Sequence, residues 1–417
     1  MSPASVTSSP TMSPSSSAKA RILVKDDNDV VIVAAVRSAL TKSRKGGFKD
    51  TRPEEILSGV LRAAYTRARL NPALIEEIAV GNVLPPGGGA SAARMAALHC
   101  GIPHTTPLNT VNRQCSSGLA AVNQVANEII AGQISIGIGA GVESMTFGWG
   151  SGSLPDGWSE AVLTNKEAED CLIPMGITSE NVATEFGISR ERQDEFAAQS
   201  FQKAAAAQKA GKFKDEIVPL KVKITDPKTE KEVEIVVDAD DGIRDGVTPA
   251  SLAKLKPSFK KDGSTHAGNA SQVSDGAAAV VLARRSVARR LGLPILGKYV
   301  AAVATGVPPR IMGVGPAYAI PKVLEKTGLS KEDVDFYEIN EAFASQAIYS
   351  VEKIGIPFDK VNINGGAIAF GHPLGCTGAR QIATGLSISR QRNERVFVTS
   401  MCIGSGMGMA AVFVSEH

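Results

Sequence analysis

Leu70-Asn71-Pro72-Ala73-Leu74-Ile75-Glu76-Glu77-Ile78-Ala79-Val80-Gly81 and, far along the chain, Leu329-Ser330-Lys331-Glu332-Asp333-Val334-Asp335-Phe336-Tyr337-Glu338-Ile339-Asn340 are variants of one pattern. Each follows a helical stretch, Val60-Leu61-Arg62 in the first case and Ile320-Pro321-Lys322-Val323-Leu324 in the second. Each then turns and enters a strand that ends in a small or amide residue. The next unit repeats too. Cys115-Ser116-Ser117-Gly118 opens one helix, and Gly375-Cys376-Thr377-Gly378 opens another after the strand-like Val361-Asn362-Ile363-Asn364. An internal duplication of an α/β unit accounts for both pairs. The helix starting at Pro53-Glu54-Glu55 has proline and acids at its positive end and closes with Arg67 and Arg69. Val30-Val31-Ile32-Val33-Ala34-Ala35, Ala277 to Leu282 and Val396-Phe397-Val398 are continuous apolar runs, as in sheets covered on both faces.

Around this duplicated core the texture changes twice. Residues 1–17 hold eight serines and three prolines, too little apolar surface to order themselves, so 1–28 is expected to be a disordered tail or targeting extension. From about 148 to 264 come Gly, Ser and Trp loops, a helical stretch near Asp194 and Glu195 and the charged Lys221 to Asp241 region, which together read as an insertion folded over the core. The expected division is therefore a first half over 29–294, carrying that insert, and a second half over 295–417.

The chain has 417 residues, a net charge of +3 and no basic stripe interleaved with aromatics, so nucleic acid is not the expected partner. Its five cysteines, Cys100, Cys115, Cys171, Cys376 and Cys402, are too few and dispersed for a disulfide framework, and neither they nor the five histidines have metal-ligand spacing. No metal is expected. The uncharged stretch from Val396 to Val414 is long enough to span a bilayer, but Gly404-Ser405-Gly406-Met407-Gly408 breaks it into two buried strands.

Cys115 lies where the short β-prone stretch Thr106 to Val111 meets a helix whose apolar residues Leu119, Val122, Ala126, Ile129 and Ile130 recur at helical spacing. At such a junction the helix dipole is expected to populate the thiolate beyond what the usual thiol pKa of about 8.5 allows. Its plainer reading is a small buried hydrophobe. His372, in the glycine-rich Gly365 to Gly375 loop, is either a base or an ordinary loop histidine. Cys402 and the glycines after it form either an oxyanion site or a tight hairpin. Asn340 caps a helix or orients a water.

Taken together, Asn112-Arg113-Gln114-Cys115-Ser116-Ser117-Gly118, Asn340-Glu341-Ala342-Phe343, Gly371-His372-Pro373 and Cys402-Ile403-Gly404-Ser405-Gly406-Met407-Gly408 resemble the signature set of the thiolases, in family order over about 29–415. The runs Cys171 to Ala183 and Ala267 to Gly276 are similar to the peroxisomal 3-ketoacyl-CoA thiolases, with Pro174 where biosynthetic thiolases usually carry histidine. The resemblance implies the thiolase fold: an α/β protein of two βαβαβαββ halves in a five-layer αβαβα arrangement with an inserted loop domain. It implies an acyltransferase that cleaves 3-ketoacyl-CoA thiolytically in β-oxidation. Acetoacetyl-CoA synthesis and a non-catalytic acyl-CoA-binding scaffold are the alternatives.

The same resemblance assigns roles. Cys115 would be the nucleophile, His372 its base, Cys402 the second acid and base, and Asn340 and Gly404 part of two oxyanion holes. CoA, the co-substrate, would lie along Ser271, Ala267 and Met175, with Phe343 beside it and Arg244 at the adenine end. Val247 departs from a threonine common nearby, and His266 from a threonine or valine; His266 would lie close to the CoA path. Cys376 reads as structural, and Cys171 could pair with Cys115 only if their Cα atoms lie within about 7 Å. A homodimer without a transmembrane segment is expected, in the peroxisome or, as the alternative, the mitochondrion. The N-terminal Arg21-Ile22 followed by Asn28-Asp29 lacks half of the usual peroxisomal signal.

Overall fold

The computed structural model describes residues 17–150, 157–226 and 228–417. The duplication is written in the order of the strands. In the first half, Leu108–Val111, Glu77–Gly81, Ile136–Ser144, Ser274–Arg284 and Val30–Arg37 lie side by side, with two parallel junctions followed by two antiparallel ones. In the second half Phe336–Ile339, Val396–Ile403, Met407–Ser415 and Gly297–Gly306 follow the same sequence of one parallel and two antiparallel junctions. A parallel bridge from Tyr337 to Val361 stands where Leu108–Val111 stands in the first half. The pairs Val31 with Lys298 and Ile32 with Gly297 join the two sheets at one corner.

Two helices lie between the sheets. Ser117–Ile130 and Leu374–Arg392 pack on each other and on the inner faces of both sheets. Pro53–Arg67 and Ala90–His99 cover the outside of the first sheet, while Gly315–Thr327 and Ala344–Ile354 accompany the second. The succession is helix, sheet, helix, sheet, helix. The second of these helices is buried on all sides from Leu374 to Ser389, while Ser117–Ile130 reaches solvent at its C-terminal end through Asn127 and Ile130. Two polar members of Leu374–Arg392 are paired inside: Arg380 with Glu338 at 3.2 Å, and Thr384 with Glu216 at 3.0 Å. No described helix is long and apolar enough to cross a membrane.

The inner helices approach through glycine. A Cβ on Gly118 would lie 2.6 Å from the carbonyl oxygen of Gly375 and 2.8 Å from the amide nitrogen of Ala379, backbone atoms that have nowhere to retreat. Gly118→Ala is therefore expected to destabilise the protein by about 1–3 kcal/mol, the usual range for overpacking. Gly306, with open space around its Cα, provides the control, and equal denaturation midpoints for the two alanine variants would contradict this close approach.

The inserted segment contributes the helices Met175–Glu185 and Arg190–Lys209 and the hairpin of Leu220–Thr225 with Glu232–Val237. It is bound to the core by buried ions: Arg37 on the first strand meets Glu216 at 2.6 Å and Asp240 at 2.7 Å.

The N-terminal expectation needs correction. Residues 1–16 lie outside the described residues, but Ala18–Leu23 is a helix capped by the Ser17 hydroxyl. Ala18, Ile22 and Leu23 pack on the apolar cluster of the second half, Lys19 pairs with Asp335 at 2.9 Å, and Lys298 donates to the Val24 carbonyl at 2.6 Å. Composition averaged these apolar residues with the serines and prolines before them. The second half supplies the surface that orders them.

Candidate active site

The turn carrying Cys115 is built by its neighbours. Gln114 takes a positive φ of 47°, rare for a residue with a side chain. Its N–H donates to Asn112 Oδ1 at 2.9 Å. Ser117 Oγ accepts the Arg113 N–H at 2.9 Å and donates to the Gln114 carbonyl at 2.6 Å. The helix begins at Ser117, so Cys115 sits just before it, buried among Leu84, Met145 and Leu374. Leu374 belongs to the inner helix of the other half. The duplicated fold thus brings the Cys115 turn and the His372 loop to one place.

His372 follows Gly371, whose φ of 109° and close approach to Ser274 suit glycine alone. The His372 N–H donates to the Gln272 carbonyl at 3.1 Å. Its ring is held at both nitrogens: Nδ1 is 2.6 Å from Thr377 Oγ1, and Nε2 is 3.3 Å from Asn340 Nδ2. Next to Asn340, buried Glu341 anchors the glycine loop, accepting from Ser200 Oγ at 2.6 Å, Asn362 Nδ2 at 2.7 Å and the Ile368 N–H at 3.2 Å. Asn340 Oδ1 is buried without a partner among the described residues, an acceptor open to a ligand or water.

Cys402 ends the buried strand Val396–Ile403 and packs with Met312, Ala342 and Phe343. Its Sγ lies 3.6 Å from Gln346 Oε1. The hairpin after it aims the Gly404 N–H at the Cys115 sulfur, and Ser405 makes the turn with a φ of 62°. The two thiols are close enough for the charge of one to disfavour the charge of the other.

Burial decides the protonation states. It pushes the Cys115 thiol up to about 11, against the N–H groups of Gly404 and Cys115 itself, with Glu143 adding a small upward push. The expected excess of thiolate is thus overturned: Cys115 precedes the helix and is buried, and the cost of burying its charge outweighs the dipole. Cys402 is raised further, by burial and then by Cys115. His372 is pushed down to about 3, by burial and then by the charge of Arg380. At neutral pH the site therefore holds two thiols and one neutral imidazole.

The expected CoA residues fall into two groups. Met175 packs against the Cys402 cluster, Phe343 is itself in it, and the Ser271 N–H donates to the Ala342 carbonyl at 2.9 Å. Ala267 and Arg244 are exposed, the guanidinium lying 4.8 Å from the centre of the Phe201 ring. His266 turns inward: its Nδ1 accepts the Gly268 N–H at 3.0 Å and its Nε2 meets Asp194 Oδ1 at 2.7 Å, so it braces its own loop. All five cysteines are free; Cys376 is buried, and Cys171 is exposed with Sγ 3.8 Å from the Ser405 carbonyl.

Three site residues escaped the sequence reading. Glu143 accepts the N–H groups of Val83, Leu84 and Gly375 at 3.1, 3.1 and 2.9 Å, tying together the walls around Cys115, and burial raises it to about 7. A lone acid near the end of the glycine-rich strand Ile136–Ser144 was its available signal. Thr377 and Gln346 gave none, being ordinary polar residues of helices.

Residues 30–286 match the thiolase N-terminal domain family and residues 293–415 the thiolase C-terminal domain family. The chain is 57% identical over 395 residues to the peroxisomal 3-ketoacyl-CoA thiolase of Yarrowia lipolytica, covering 95% of each chain. It is 57% identical to peroxisomal 3-ketoacyl-CoA thiolase B of Rattus norvegicus over 387 residues, 93% of this chain and 91% of that one. The solved dimeric peroxisomal thiolase of Saccharomyces cerevisiae superposes with a TM-score of 0.89 at 53% identity, covering 95% of this chain and all of the other. The acetyl-CoA acetyltransferase of Bacillus anthracis gives a TM-score of 0.84 at 38% identity, over 93% of this chain and 99% of its own.

Proposed function

Because this chain belongs to the thiolase family, we propose that it cleaves 3-ketoacyl-CoA with CoA, giving acetyl-CoA and an acyl-CoA two carbons shorter, in fatty-acid β-oxidation. The observation that carries the reading is the meeting of Cys115, with the Gly404 N–H on its sulfur, and Cys402 in one buried space beside the His372 loop.

As the Cys115 sulfur bonds to the keto carbon, His372 Nε2 takes the thiol proton. The N–H groups of Cys115 and Gly404 receive the oxyanion, each such donor being worth about 3 kcal/mol in the transition state. The tetrahedral intermediate collapses to a thioester on Cys115 and breaks the carbon–carbon bond. The departing acetyl-CoA enolate takes the Cys402 proton on carbon, its oxygen held by His372 and a water on Asn340. CoA then gives its thiol proton to Cys402 and attacks the thioester. His372 returns its proton to Cys115. CoA lies along Met175, Ser271, Ala267 and Phe343, with Arg244 at the exposed adenine end.

The relatives' names favour this over the four-carbon biosynthetic reaction. The two separate on substrates: with CoA present, 3-ketohexadecanoyl-CoA is expected to be cleaved faster than acetoacetyl-CoA, and turnover confined to acetoacetyl-CoA contradicts the assignment. The named relatives also place the enzyme in the peroxisome. A homodimer is supported by the dimeric yeast relative and by the strand Leu108–Val111, which among the described residues pairs on one side only, beside exposed Met95 and Leu98.

A further inference from the structure

We propose that Thr377 is a positioning residue that fixes the proton of His372 on Nδ1 and so keeps Nε2 free as the base for Cys115; this rests on the reading above. Thr377 opens the inner helix Leu374–Arg392 and is wholly buried, as is nearly all of His372. Its Oγ1 lies 2.6 Å from His372 Nδ1 and 3.2 Å from the Pro373 carbonyl oxygen. A hydroxyl has a single proton to give. The Pro373 carbonyl can only accept, so a hydroxyl that satisfies both neighbours donates to Pro373 and accepts Nδ1–H. Nε2 is then the bare nitrogen. Asn340 agrees from the other side, since its Nδ2, 3.3 Å away, can only donate. The Thr377 hydroxyl thus specifies the tautomer, and the Asn340 amide is compatible with it.

The choice of an uncharged acceptor has a consequence for the second half of the reaction. When Nε2 takes the Cys115 proton, the ring carries two N–H groups, and Thr377 and the substrate oxygen receive them. A carboxylate at this place would hold that cation tightly. A hydroxyl backs it weakly, and Arg380, whose charge disfavours it, acts in the same direction. The ring therefore gives its proton back to Cys115 when CoA breaks the thioester. The proton borrowed in acylation is the one returned in deacylation, and no other donor or acceptor is needed at Nδ1.

The test uses the full chain with ¹⁵N-labelled histidine, His372 being identified by the signal lost in His372→Gln. In the wild type the ring is expected to show a protonated Nδ1 and a bare Nε2. Thr377→Val keeps the shape but removes the hydroxyl: the tautomer signature is expected to change and kcat to fall about 10²-fold, the scale of acid–base catalysis, with KM little changed. Thr377→Ser is expected to restore both. A wild-type ring protonated at Nε2 overturns the proposal, and so does a folded Thr377→Val enzyme with wild-type kcat. Should that variant fail to fold, the wild-type spectrum decides alone. Absence of thiolysis in the wild type would instead defeat the functional reading, while the ring spectrum would still report the tautomer.

Discussion

Replacing Cys115 with serine is expected to lower thiolysis by about 10⁴-fold or more while leaving the folded protein intact. An alcohol holds its proton far more tightly than a thiol, so the transfer to neutral His372 that accompanies attack is much less favourable from serine. The backbone N–H groups of residue 115 and Gly404 are both retained, so the variant keeps its oxyanion donors and loses the bond-forming step. A loss of that size corresponds to about 5.4 kcal/mol of transition-state stabilisation. Oxygen for sulfur is a small change in a pocket of Leu84, Met145 and Leu374, and the unfolding midpoint is expected to stay near the wild-type value. Steady-state rates and thermal melts on the two proteins check both halves. Retention of more than a tenth of the activity would mean that another group is the nucleophile.

The second large effect is expected at Cys402, where it should divide the reaction. Cys402→Ala removes the proton that the acetyl-CoA enolate must receive, so carbon–carbon cleavage is expected to fall about 10³-fold, within the range for loss of a general acid. Transfer of an acetyl group from acetyl-CoA to Cys115 expels a thiolate instead, a much better leaving group, and should fall far less. Measuring cleavage of 3-ketohexadecanoyl-CoA beside the exchange of labelled CoA into acetyl-CoA separates the steps. Equal losses in both would show that Cys402 merely shapes the pocket. The lost contacts with Met312, Ala342 and Phe343 would then be the cause. The same comparison bears on why both thiols stay protonated at rest: the site needs one proton to give to carbon and one to lend to His372.

Legibility in the sequence followed the range of the interactions concerned. The duplication could be read because it is a repeat of local patterns, and the pairing order confirms it from Leu108–Val111 to the bridge at Val361. The motifs at Cys115, Asn340, His372 and Cys402 could be read because each is contiguous. The state of the Cys115 thiol could not, since its burial comes from Leu374 in the other half and from the Gly404 hairpin. His266 looked like a departure on the CoA path because its partner, Asp194, is 72 residues away. Glu143 and Gln346 act through contacts of similar reach, 232 residues to Gly375 and 56 to Cys402. The helix at Ala18–Leu23 was missed for the same reason: it folds on the second half, and its own composition lacks the means to order it.

The central claim is that the acyl chain is carried on Cys115. Mixing the enzyme with 3-ketohexadecanoyl-CoA in the absence of CoA, quenching with acid and mass-analysing the peptides tests it directly. The expected result is a tetradecanoyl adduct on the Cys115 peptide that disappears when CoA is added before the quench. An adduct on Cys402, Cys376 or Cys171 instead, or turnover with no adduct on any cysteine, would contradict the account.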